Sequence, residues 1–215
     1  MSLAVLISGR GSNLEAILHA QRAQEWEKSL GARVAAVVSN RPDVRGLAIA
    51  RAHGVDAQVL DHADFSTRSG FDAALSALVD RYEPVLLVLA GFMRVLTPEF
   101  VARYPGRLIN IHPSLLPAFT GLHTHARAIE MGVRIHGTTV HFVSGELDAG
   151  PIIAQSALAV VPGETEAALA ARVLALEHEL LPRCIRWILE GRVRLDGGRV
   201  ATGDLQADQL LTVRA

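Results

Sequence analysis

Five short apolar runs, at 3–7, 33–39, 57–60, 85–89 and 108–112, alternate with helix-patterned segments through the first half of this chain. That alternation restricts the fold more than any other feature. The runs are almost continuously apolar, as strands are when helices cover both faces of their sheet. The segments between them, 13–23, 44–53, 67–81 and 98–103, carry apolar residues at helical spacing. Thr97 followed by Pro98 is a helix start, with a capping hydroxyl and proline at the first helical position. Strand and helix in turn predict an α/β fold, a doubly wound and mostly parallel sheet. With 215 residues, half of them hydrophobic, the chain can bury a sizeable core. A single domain over 1–215 is the simplest count.

After residue 112 the pattern changes. A short helix is expected at 127–132, then two longer strands at 135–143 and 151–161, paired antiparallel across 144–150. The longest helical stretch, 165–190, opens on Thr165 and an early acid. Residues 192–201, with Asp196-Gly197-Gly198 in the middle, predict a hairpin. Residues 202–215 carry little pattern and read as a loose tail.

Composition removes several function classes. The net charge is -1 and acids and bases are interspersed, so there is no electrostatic footprint for nucleic acid. No run reaches membrane-spanning length, and the first nine residues read as a strand and not as a leader. Cys184 is the only cysteine, which excludes a disulfide framework and a thiolate metal site and reads as a core residue. A cytoplasmic location is expected.

Three stretches carry chemistry. The first, Ser8-Gly9-Arg10-Gly11-Ser12-Asn13-Leu14, follows the first strand and opens the first helix. Glycines let the backbone approach an anion, and the helix start supplies N–H groups and a positive dipole end. The spacing is neither that of a dinucleotide loop nor that of a Walker loop, so a single phosphate is the expected guest. The second is Asn110-Ile111-His112 at a strand end. Residues two apart on a strand share a face, which places an amide donor beside a proton carrier. Acyl transfer needs that pair, because charge develops on a carbonyl oxygen while a proton moves. By themselves Asn and His can equally satisfy turn groups. The third is Gly145-Glu146-Leu147-Asp148-Ala149-Gly150-Pro151, a loop with two acids, one of which can hold His112 protonated. A different reading starts from His123-Thr124-His125 with Glu130 and Gly137, which partly resembles a cupin metal signature. Cupins are all-β, against the alternation seen here, and Pro117 stands where that signature has glycine.

Together, 7–14, 89–94, 110–117, 121–125, 136–143 and 146–151 resemble the phosphoribosylglycinamide formyltransferase family, in order and in register. The resemblance runs to about residue 191 and implies a Rossmann-like formyltransferase fold with an antiparallel C-terminal part. It implies 10-formyltetrahydrofolate as co-substrate, glycinamide ribonucleotide as acceptor and no metal. The implied partners are small molecules only, with no nucleic acid or membrane, in a monomer or homodimer. Asn110, His112 and Asp148 match the catalytic set. Gly11, Ser12 and Asn13 match phosphate binding, Arg68 assists them, and Glu177 matches a ribose contact. Phe92, Met93, Arg94, Val95 and Leu96, with Ser144, Gly145, Glu146 and Leu147, match the folate site. His123 and His141 match supporting positions. Related formyl enzymes that act on methionyl-tRNA or hydrolyse the folate typically lack the Gly-Ser-Asn loop, and each carries a further domain for which this chain is expected to have no room. Hydrolysis of 10-formyltetrahydrofolate, or transfer to another amine, is the remaining alternative.

Two positions depart from the family pattern. Thr120 stands where proline is common, and Gly145 stands where an acid or polar residue is frequent. Both lie in loops expected to border the folate.

Overall fold

Strand β1 (Ser2–Ile7) is buried from Leu3 onward and lies in the middle of a parallel sheet. The computed structural model describes residues 1–214, which form two compact units, Met1–Asn110 and a second beginning at Ile111. In the first unit β1 is followed by α1 (Ser12–Ala23), α2 (Trp26–Leu30), β2 (Arg33–Ser39), α3 (Arg45–Ala52) and β3 (Asp56–Val59). Then come α4 (Arg68–Asp80), β4 (Leu86–Leu89), α5 (Pro98–Arg103) and β5 (Leu108–His112), whose last two residues begin the second unit. The strand order is β3-β2-β1-β4-β5, every pair parallel. The chain winds outward from β1 through β2 and β3, then returns to β4 on the other side. Such a reversal leaves a crevice at the carboxyl ends of β1 and β4, where sheets of this kind bind ligands.

The expected strands and helices of this unit all form, within about two residues of their expected bounds. Thr67 and Thr97 cap α4 and α5, accepting from the Gly70 and Phe100 N–H groups. The buried Asp72 carboxylate accepts from the Thr97 N–H at 2.6 Å and so anchors the start of α5. Sequence reading missed α2, whose Trp26 is fully buried. Five residues are too few to display a helical period.

In the second unit α6 (Thr124–Glu130), β6 (Ile135–Phe142), β7 (Ile152–Ala159) and α7 (Glu166–Leu189) precede β8 (Arg194–Asp196), β9 (Arg199–Ala201), α8 (Ala207–Leu210) and β10 (Leu211–Arg214). The antiparallel β6–β7 pair and the β8–β9 hairpin form as expected. Helix α7 packs on both β6 and β7, burying Leu169, Val173 and Leu176 beside Leu158. Cys184 is fully buried in α7, and burial pushes its thiol up to about 12, so it is an inert core residue.

Two expectations are corrected. The helix placed at 127–132 begins at Thr124 instead, because His123 in the left-handed region (φ 56°) breaks the chain just before it. The tail at 202–215 is not loose over its described part. Residues 207–210 are helical, and β10 runs parallel to β7 from Leu211↔Gln155 to Arg214↔Leu158. It satisfies the outer edge of β7, and an edge strand of four residues has too short a pattern to read.

Candidate active site

The turn between β1 and α1 is built from close backbone approach. Gly11, at φ 75°, is the N-cap of α1, and no side chain caps that helix start. A Cβ on Gly11 would lie 2.5 Å from Gly46 Cα, so the starts of α1 and α3 abut here. Ser12 is half-buried as the first residue of α1, and Asn13 is buried beside it. The uncapped N–H groups and positive helix end suit a phosphate. Arg68 is the exposed first residue of α4, after the carboxyl end of β3.

Ser8 holds the neighbouring loops around this turn. Its Oγ donates to Asn40 Oδ1 at 2.5 Å and accepts from the Met93 N–H at 2.7 Å, while its own N–H donates to the Gly91 carbonyl. One buried hydroxyl thus joins the loops after β1, β2 and β4. In the last of these, Phe92 and Leu96 are buried and Met93 and Val95 exposed. The Arg94 guanidinium stacks 4.6 Å from the Phe71 ring centroid. Exposed apolar residues beside a stacked cation make a surface suited to a flat aromatic ligand.

The second unit holds the titratable centre. Strand β5 presents Asn110, half-buried, and His112, buried, two residues apart on one face. His112 Nδ1 lies 3.4 Å from Asp148 Oδ2, both side chains nearly inaccessible. Its Nε2 faces the Phe119 carbonyl at 2.9 Å. Both neighbours are oxygens that only accept. An imidazolium, with an N–H on each nitrogen, satisfies both at once, whereas a neutral ring satisfies one. Asp148 adopts the left-handed region (φ 51°), and its Oδ2 also accepts from the Gly121 N–H at 2.8 Å. His141 lies on the other side, Nε2 4.0 Å from Asp148 Oδ1 and Nδ1 donating to the Phe142 carbonyl at 2.9 Å. Burial pushes His141 below the ordinary imidazole range, against the opposing pull of that carbonyl and of Asp148.

Main-chain positions here are fixed by hydroxyls. Thr138 Oγ1 donates to the His112 carbonyl at 2.9 Å, Thr139 Oγ1 to the Ser114 carbonyl and Thr124 Oγ1 to the Pro113 carbonyl, both at 2.7 Å. The loop 144–147 carries exposed Glu146 and Leu147, with Ser144 Oγ donating to the Glu146 carbonyl. Glu177 is buried in α7. His123 is exposed at the N-cap of α6. The cupin reading does not survive, because the fold is α/β; His125 turns to His136, Nδ1 to Nε2 3.1 Å.

That second histidine pair sets a pH dependence. His136 is 1% exposed, and burial, then the charges of His125 and His112, pull it down to about 4. The unfolded chain then binds more protons than the native state between roughly pH 6.5 and 4, so stability falls as pH drops through that window and levels off below it. Urea midpoints at pH 7 and 4.5 should differ in that direction, and a His136→Asn variant should flatten the slope.

The first 185 residues match the family model described as formyl transferase. The phosphoribosylglycinamide formyltransferase of Escherichia coli (strain K12) is 44% identical over 216 residues, covering 97% of this chain and all of that one. The chain belongs to the formyl transferase family. A Coxiella burnetii phosphoribosylglycinamide formyltransferase, solved in complex with CHES, superposes with a TM-score of 0.89 at 41% identity, covering 100% of this chain and 99% of that one. A glycinamide ribonucleotide transformylase 1 from Symbiobacterium toebii gives 0.89 at 45%, covering 95% and 94%. Membership in the formyl transferase family agrees with the expected α/β fold and the expected one-carbon transferase class.

Proposed function

We propose that the chain transfers the formyl group of 10-formyltetrahydrofolate to the primary amine of glycinamide ribonucleotide. The observation that carries this reading is the His112 ring set between the Asp148 carboxylate and a carbonyl, two residues beyond Asn110 on the same strand face. The amine attacks the formyl carbon and an oxyanion forms. Asn110 donates an amide N–H to it, a donor typically worth about 3 kcal/mol, and the His112 imidazolium beside it stabilises the negative charge electrostatically. Asp148 keeps the imidazolium charged and, directly or through a water, passes the proton from the attacking amine to the leaving folate nitrogen. Folate supplies the one-carbon unit and the protein positions it.

Gly11, Ser12 and Asn13 take the ribonucleotide phosphate, with Arg68 as a further cation and Glu177 for the ribose. The 92–96 and 144–147 loops take the folate. Ser12→Ala should raise the KM for the ribonucleotide roughly tenfold, the worth of one hydrogen bond to a charged group, with kcat little changed. Steady-state kinetics in ribonucleotide checks this, and an unchanged KM would put the phosphate elsewhere. The function itself is tested by following 10-formyltetrahydrofolate spectroscopically with and without glycinamide ribonucleotide. Consumption only with the ribonucleotide supports the proposal, and equal consumption without it means a hydrolase.

A further inference from the structure

We infer that Arg127 is a positioning residue for the His112–Asp148 pair, acting through the main chain of the 119–122 loop; the inference rests on the function proposed above. Two groups of that loop touch the pair. The Phe119 carbonyl receives His112 Nε2 at 2.9 Å, and the Gly121 N–H donates to Asp148 Oδ2 at 2.8 Å. One three-residue segment therefore sets both the tilt of the imidazole and the orientation of the carboxylate. The same segment carries unusual backbone, since Phe119 is an aromatic residue at φ 55°. Such a conformation is costly for a bulky side chain and persists only where the surroundings enforce it.

The enforcement comes from α6. Arg127 Nη1 donates to the Thr120 carbonyl at 2.7 Å and reaches the Leu122 carbonyl at 3.5 Å. Its guanidinium carbon stands 5.5 Å from the Phe119 ring centroid. No carboxylate pairs with Arg127 among the described residues, and its side-chain hydrogen bonds go to this loop. The Phe119 ring also stands roughly perpendicular to that of His136, centroids 5.9 Å apart, and packs against the Ala128 cluster. The ring is seated by packing, and the carbonyls that follow it are drawn in by the guanidinium. Thr120 adds no ring constraint of its own to φ at the centre of the segment. An oxyanion forming beside His112 then meets a charge whose position is already fixed, and pre-set position is what makes such groups effective.

The test compares Arg127→Leu, which keeps an apolar side chain near the Phe119 ring, with Arg127→Lys, which keeps a donor for the Thr120 carbonyl. Wild-type protein is assayed in parallel, and its ribonucleotide-dependent turnover reports on the proposed function independently. Arg127→Leu should lower kcat about ten- to a hundredfold, the range for sub-ångström misplacement of a reacting group. The KM for the ribonucleotide should stay within about twofold and the melting temperature near wild type. Arg127→Lys should recover most of the lost kcat. If Arg127→Leu does not fold, Arg127→Gln is read against the same expectations. Unchanged or raised kcat in the folded variant overturns the inference, and so does a loss of kcat that lysine fails to restore.

Discussion

Asp148→Asn should lower kcat by about a thousandfold, within the hundred- to ten-thousandfold range for loss of a proton-transfer partner, while the protein stays folded. The substitution is nearly isosteric. Asparagine tolerates the left-handed backbone that Asp148 adopts, because both side chains are among the few that do. The Gly121 N–H, 2.8 Å from Oδ2, can still donate to the amide oxygen. What is lost is the negative charge 3.4 Å from His112 Nδ1. The amide oxygen that keeps the Gly121 contact also faces the ring, so the geometry survives and the negative charge does not. The expectation is therefore a fall in kcat with a nearly unchanged melting curve. Steady-state kinetics and thermal denaturation on the same preparation check both halves, and a kcat within a few-fold of wild type would remove Asp148 from the chemistry.

The second large effect is structural and lies behind the site. Gly137 sits in β6 opposite Ala157 of β7. A Cβ at that position would lie 2.0 Å from the Ser156 carbonyl oxygen and 2.9 Å from Ala157 Cα. Both are main-chain atoms of the partner strand, so no rotamer change relieves the clash and the strands must part. Gly137→Ala should destabilise the protein by about 3 kcal/mol or more, lowering the melting temperature by roughly 10 °C at this chain length. His141, four residues along the same strand, faces Asp148, so activity should fall with the fold. A melting temperature within a degree or two of wild type would contradict this packing.

These expectations draw unequally on what the chain displays. The strands of the first unit were legible because five apolar runs with helices between them fit few arrangements. The start of α5 was legible because Thr97 and Pro98 are chemically specific to helix starts. β10 was not, since a four-residue strand on an edge owes its existence to the unpaired groups of β7 and not to its own pattern. At the site, Asn110 and His112 could be paired from their chemistry and strand spacing, while Asp148 was distinguished from Glu146 only by the family resemblance. Most of the groups that orient them could not be named. The Phe119 carbonyl and the Gly121 N–H are main-chain atoms that every residue type offers, and only the left-handed turn at Phe119 aims them. Ser8 was visible as part of a loop motif, yet its bridge to Asn40 and Met93 depends on strand order. Arg127 looked like an ordinary helical charge until its donors were seen to meet the loop carbonyls.

The central claim is that the formyl group passes from folate to the ribonucleotide amine. Its most direct test uses 10-formyltetrahydrofolate labelled isotopically in the formyl carbon, incubated with the protein and glycinamide ribonucleotide, with the label followed by NMR. The label should leave the folate and appear in the formamide of the ribonucleotide, with none in free formate. Label accumulating as formate, or staying on the folate, would contradict the account.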